Sequence, residues 1–241
     1  MAGDQILRIS DSNGVRHLLL NRPAVRNALN HDLMDALRCA LSEADSDADV
    51  RVIVLRGEGK GFCAGADLKA TAALADETSV RGHARQMRQV LELPPTLNKP
   101  VIAQVHGFAL GAGFALALAC DAAVCGDGVA LGYPEAKHGI VPALVLPSLL
   151  RLAGTKVTFD MMATGRLIDG ARAQQLGLVR CVPDAELEQV VAAYAADLAG
   201  RSEVFMRLLK QLIRDAHIDP KTAMAAAEQT NVEARLKRLS E

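Results

Sequence analysis

The chain has 241 residues, half of them hydrophobic, a formal net charge of −1, and only two tyrosines, five phenylalanines and no tryptophan. That length and apolar content suit one large domain, or one domain with a small appendage, around a sizeable core. A near-neutral chain this poor in aromatics has neither the basic surface nor the stacking platform that nucleic-acid binding uses.

The first residues, MAGDQILRIS, carry no basic-then-apolar signal segment, and no run of 18 apolar residues exists. Neither secretion nor a membrane span is expected, and the cytoplasm is the expected location. Five cysteines without a CxxC pair suit a reducing compartment rather than a disulfide framework. HExxH, GxSxG and P-loop patterns are missing, so zinc protease, serine hydrolase and P-loop chemistry lose their usual signals.

In chain order, Gln5–Ile9 and Val15–Leu20 flank Asn13-Gly14, a hairpin signal. Asn30 precedes an amphipathic helix over His31–Ala44, with Leu33, Leu37 and Leu41 at spacing four. Val50–Leu55 is a buried strand, followed by a glycine-rich loop from Gly57 to Leu68 whose backbone can expose N–H groups. Residues 70–80 read as a mobile connector. Val80–Leu91 reads as a helix with Arg81, Arg85 and Arg88 on its solvated face, stopped by Pro94-Pro95.

Val101–Val105 is a short apolar strand bounded by Pro100 and Gly107. Gly111-Ala112-Gly113 then opens a run rich in Ala and Leu, Phe114–Cys120, which predicts a buried helix. Unpaired N–H groups and a positive partial charge at its first turn make this bend a candidate anion or oxyanion site. Plain packing of small residues is the competing reading. A dinucleotide-binding oxidoreductase is disfavoured, because Leu116 stands where the third glycine of the fingerprint belongs.

Ala122–Cys125 and Val129–Leu131 are further short strands, so strands alternating with helices predict an α/β fold with parallel pairing. No clear repeat period shows. From Leu146 the chain turns helical, over 146–152, 155–163, 169–176, 184–199, 202–215 and 220–238, with one strand-like piece at Leu178–Val182. The expected division is a core over 1–183 and a helical region over 184–241 serving as lid or subunit interface.

Two glycine-rich loops after apolar strands and one carboxylate, Glu135, invite a common explanation. One N–H from each loop can grip an oxyanion from two sides, and a carboxylate in a dry pocket has the raised pKa that suits proton transfer near neutral pH. For Glu135 alone, a carboxylate at a helix N-terminus or a loop salt bridge is the plainer reading.

The blocks LNRPAVRNALN (20–30), GKGFCAGADL (59–68), NKPVIAQVHGFALGAGFALALACD (98–121), GYPEAKHGIVP (132–142) and TGRLIDGARAQQLGLV (164–179) resemble, in order and spacing, the enoyl-CoA hydratase/isomerase (crotonase) superfamily. The resemblance covers roughly residues 5–215. It implies an α/β spiral of ββα units with a helical C-terminal trimerisation region, and a coenzyme A thioester as substrate. Coenzyme A is then part of the substrate, with no separate cofactor and no metal, and the chain assembles as a homotrimer or hexamer. Carried over residue by residue, the N–H groups of Ala66 and Ala112 form the oxyanion hole, and Glu135, after Pro134, is the catalytic acid/base. Ala64, Ala66, Asp67, Leu68 and Lys69 would line the substrate path with Ala112 and Pro134. Arg22, Arg26 and Lys69 are the candidates for the nucleotide phosphates.

Ala115 stands where two-glutamate hydratases carry their second glutamate, so the resemblance favours single-glutamate double-bond isomerisation, with single-glutamate hydration as the alternative. Ala143 stands where dienoyl-CoA isomerases carry an aspartate. The C-terminus, EARLKRLSE, departs from the longer family ending, which puts a cross-subunit phosphate contact in doubt. A CoA-binding protein of weak activity is the reading from another class. His138 is a candidate second proton carrier that is more simply a surface residue, and Cys63 has no base nearby in sequence.

Overall fold

A computed structural model of the chain describes residues 5–216. Strands β1 (Leu7–Ser12) and β2 (Val15–Leu20) form the expected antiparallel hairpin. Asn13 and Gly14 both take positive φ, 50° and 75°, as a type I′ turn requires. Helix α1 (His31–Ser46) starts at Asn30, whose side chain accepts the Leu33 N–H at 3.1 Å, and it buries Leu33, Leu37 and Leu41. Strand β3 (Val52–Gly57) follows.

The connector expected over 70–80 is mostly helix. It contains the end of α2 (Leu68–Ala72) and the start of α3 (Glu77–Glu92). The reason is capping. Asp67 accepts the N–H groups of Lys69 and Ala70, while Asp76 and Ser79 cap α3 reciprocally. Arg81, Arg85 and Arg88 of α3 are exposed, as expected.

Strand β4 (Val101–Val105) is followed by a second short strand, β5 (Phe108–Leu110), and then by helix α4 (Ala112–Ala119). All eight residues of α4 are buried, which is where a helix apolar on every side belongs. Next come β6 (Ala122–Gly126), β7 (Ala130–Gly132) and α5 (Leu146–Thr164), which breaks at Gly154 (φ 75°), the predicted division. Strand β8 (Leu167–Ile168), helix α6 (Gly170–Gln175), strand β9 (Arg180–Val182), and helices α7 (Leu187–Ala199) and α8 (Glu203–Asp215) complete the described chain. The helix expected over 220–238 and the terminal EARLKRLSE lie outside the described residues.

The main sheet has the order β1-β2-β3-β4-β6-β9 and is parallel from β2 onward. A second sheet, β5-β7-β8, runs beside it, and single parallel bridges at Leu29–Ala66 and Cys63–Ala109 continue its pattern. Each turn of the chain therefore gives one strand to the main sheet, one short rung beside it and one helix. β2 is followed by the Leu29 rung and α1, β3 by the 63–66 rungs and α2–α3, β4 by β5 and α4, and β6 by β7 and α5. This is the expected ββα spiral. Helices α1, α3 and α4 cover one face of the main sheet, while Leu187, Val191 and Ala195 of α7 pack on Val52, Val54, Ile102 and Val124 of the other.

Candidate active site

Because the turns stack, residues that follow successive short rungs come together in space. Ala66 lies on the second rung, Ala112 follows β5 by two residues, and Glu135 follows β7 by three. The Leu29 N–H donates to Gly65 O at 2.8 Å and the Asp67 N–H to Leu29 O at 3.0 Å, which fixes the backbone on both sides of Ala66. Among the described residues the Ala66 N–H finds no acceptor, and neither does the Ala112 N–H at the first position of α4.

The two segments touch. Gly65 has φ 97°, and a Cβ on it would lie 2.7 Å from Leu110 O and 3.3 Å from Ala112 N. Only glycine permits that approach. The Gly111 N–H donates to Gly132 O at 2.9 Å, which ties the end of β5 to the end of β7.

Glu135 sits in a 3₁₀ turn, Pro134–His138, that starts with Pro134. Its carboxylate lies against Gly111, where an added Cβ would collide with Oε1 and stand 3.2 Å from Cδ. Gly111 has φ 53°, a second position where backbone conformation and contact both demand glycine. Oε2 of Glu135 is buried with no hydrogen-bond partner among the described residues. Burial pushes the Glu135 carboxyl above the usual carboxylate range, opposed by its own backbone N–H and by the charge of His138, which is exposed at the end of the same turn. The arrangement joins two free main-chain donors to one carboxylate of raised proton affinity, which is what proton transfer next to a carbonyl needs.

The other predicted residues lie around the same loop. Ala64 and Ala66 are half-buried, while Leu68 and Lys69 are exposed on α2. The Asp67 carboxylate caps α2 and accepts from Arg22 Nη1 at 3.0 Å. Arg22 also donates to Ala28 O, so its guanidinium is held within the loop. Arg26 is exposed in a left-handed conformation (φ 56°), and its carbonyl accepts the Ala64 N–H at 3.0 Å. Cys63 is wholly buried, donates to Asn27 O at 3.1 Å, and burial lifts its thiol to about 12, so it is not a nucleophile.

Two residues escaped the sequence reading. Asn27, fully buried, donates from Nδ2 to the carbonyls of Glu58, Gly61 and Phe62 and accepts the Arg22 N–H, which pins the glycine-rich loop. Tyr133, also fully buried, packs its ring 5.5 Å from that of Phe114, and its hydroxyl has no partner among the described residues. Burial and the Glu135 charge push the phenol pKa up, so it is a neutral hydroxyl beside the carboxylate. Its position directly before Pro134-Glu135 was the available signal. A cavity of about 650 Å³ between α1 and α3, lined by His31, Arg38 and His83, includes none of the predicted residues.

A family model for enoyl-CoA hydratase/isomerase matches residues 10–240. The chain belongs to that family. It is an enzyme of the lyase or isomerase type that acts on coenzyme A thioesters. It is 36% identical over 212 residues to the 2,3-dehydroadipyl-CoA hydratase of Escherichia coli, covering 87% of this chain and 82% of that one. Crystal structures of the enoyl-CoA hydratases of Bacillus anthracis and Mycobacterium smegmatis superpose with TM-scores of 0.89 and 0.92 at 32% and 31% identity. They cover 94% and 95% of this chain and 90% of each of theirs. The family fold, a ββα spiral with helices toward the C-terminus, is the one described above.

Proposed function

We propose that the enzyme holds the thioester carbonyl of an enoyl-CoA between the N–H groups of Ala66 and Ala112 and moves one proton with Glu135. As C2 loses its proton, negative charge builds on the carbonyl oxygen, where preorganised donors stabilise it most. Glu135 takes that proton from a 3-enoyl thioester and returns it at C4, so the double bond migrates into conjugation. The observation that carries this reading is the Glu135 carboxylate packed on Gly111, one residue from the free Ala112 N–H.

Isomerisation is preferred because Ala115 offers only a methyl group where a second carboxylate would activate water. Hydration of 2-enoyl-CoA through Glu135 alone is the second reading, favoured by the hydratase names of the relatives. Ala64, Asp67, Leu68, Lys69 and Pro134 line the substrate path in this proposal, Arg26 and Lys69 approach the nucleotide end, and no separate cofactor takes part.

A homotrimer or a pair of trimers is proposed, supported by apolar side chains open on α5 and just before it, Val141 at 77% and Phe159 at 74% exposure. A cytoplasmic location accords with the lack, among the described residues, of a helix long and apolar enough to cross a membrane. Incubation with matched 2-enoyl- and 3-enoyl-CoA, following water addition and double-bond migration separately, tests the reading. Migration faster than hydration is expected. Hydration alone would replace isomerisation by the second reading, and neither reaction would overturn both.

A further inference from the structure

We propose that Cys125 and Cys181 form a modification site, a dithiol that a hydroperoxide converts into a reversible intramolecular disulfide. The two residues are register partners on the adjacent parallel strands β6 and β9. Neighbouring strands run about 4.8 Å apart, inside the Cα separation a disulfide spans. Both sulfurs converge on one point, since a Cβ on Gly170 would lie 2.7 Å from Cys181 Sγ and 3.0 Å from Cys125 Sγ. The side chains therefore already share one face of the sheet and approach each other over the start of α6.

The two thiols differ in access. Cys125 is buried, whereas Cys181 is half-buried on β9, the edge strand of the main sheet. Burial, the neighbouring Cys181 thiol and the carboxylates of Asp184 and Asp127 lift the Cys125 thiol to about 12. Cys125 is thus a poor first nucleophile, and Cys181 meets the oxidant. The Cys181 thiolate attacks one peroxide oxygen, the O–O bond breaks, and hydroxide leaves as water after taking up a proton, which gives a sulfenic acid. Cys125 sulfur then attacks Cys181 sulfur. The S–S bond forms, the S–O bond breaks, and the Cys125 proton leaves with the hydroxide as a second water. Two thiols are oxidised by two electrons and one peroxide is reduced to two waters. The resulting bond ties the edge strand to its neighbour and needs no part of the acyl-CoA chemistry.

The test treats the purified protein with stoichiometric hydrogen peroxide and maps peptides by mass spectrometry without reduction. A Cys125–Cys181 cross-linked peptide lighter by two hydrogens is expected, with a higher melting temperature that dithiothreitol reverses. Cys39→Ser, which removes the exposed thiol, leaves the cross-link in place. Cys181→Ser abolishes it, and Cys125→Ser halts Cys181 at a sulfenic acid that dimedone traps. Accumulation of Cys181 sulfinic acid in the unmutated protein, or disulfides through Cys39 alone, would overturn the proposal.

Discussion

The Cα of Gly111 faces the Glu135 carboxylate so closely that a single added methyl group would collide with Oε1 and stand 3.2 Å from Cδ. Gly111 also holds φ 53° with ψ −125°, outside the left-handed helical well, a conformation that costs a residue with a side chain about 1–3 kcal/mol. Gly111→Ala therefore displaces the carboxylate as well as straining the turn. A misplacement of about 1 Å in a reacting group can cost on the order of 10²-fold in rate. The expected outcome is a kcat down by about that factor with the circular dichroism spectrum unchanged, and wild-type kcat in a folded variant would separate Glu135 from the chemistry.

Ala112 is the first residue of α4, where proline is tolerated because the N–H there has no acceptor within the helix. Ala112→Pro removes the free N–H while keeping the helix. Losing one oxyanion donor costs about 2.7–4 kcal/mol of barrier, or about 10²–10³-fold in kcat. Turnover measured beside thermal unfolding checks this: a large loss of kcat with a small change in Tm is expected.

Much of this site was legible in the sequence because it is carried by backbone. Glycine spacing after apolar strands marked both donor loops, and Asn30 and Asn13-Gly14 marked a helix start and a hairpin by local chemistry alone. The rungs of the small sheet were not legible, since β5, β7 and β8 run only two or three residues, too short for any alternation to show. For the same reason the structural repeat left no sequence period. The 70–80 segment was misread because its composition looks loop-like while its two caps, Asp67 and Asp76, act through side-chain geometry. Tyr133 and Asn27 were hidden because their importance lies in burial, which depends on packing among distant turns.

The raised pKa of Glu135 has a definite sign in two measurements. As a base it acts deprotonated, so the acid limb of kcat/KM should reach half-maximum above the ordinary glutamate range of about 4.3–4.5. The unfolded chain releases that proton at lower pH than the fold does. Stability therefore falls as pH rises from the ordinary glutamate value through the raised one. Glu135→Gln should remove that slope, lose about 10²–10⁴-fold in turnover and keep acyl-CoA affinity. Unchanged turnover would remove Glu135 from the mechanism.

Ala115 is 1% exposed inside α4. Placing a carboxylate there desolvates it and should lower Tm, yet it restores a second group able to orient water. Ala115→Glu is expected to raise hydration of crotonyl-CoA relative to double-bond migration. No gain in a variant shown to fold would mean that the missing carboxylate does not limit water addition.

Outside the site, a buried cation on α8 ties that helix to the sheet, beside Arg214, which donates to Pro95 O at 3.2 Å. Lys210, 4% exposed, donates from Nζ to Pro94 O at 3.1 Å, to Lys99 O at 3.0 Å and to the Asp121 carboxylate. Asp121 in turn accepts the Val101 N–H at 2.7 Å, at the start of β4. Burial pulls the Lys210 ammonium pKa down and pushes the Asp121 carboxyl up, so each depends on the other for its charge. Lys210→Met leaves a partly exposed carboxylate without its cation and two carbonyls without their donor, a loss of about 1–3 kcal/mol. Urea unfolding should show it as a lower midpoint at unchanged slope. Asp121→Asn in the same chain should recover part of the loss, because the stranded charge is then gone, and strict additivity of the two substitutions would dismiss the pair as a coupled anchor.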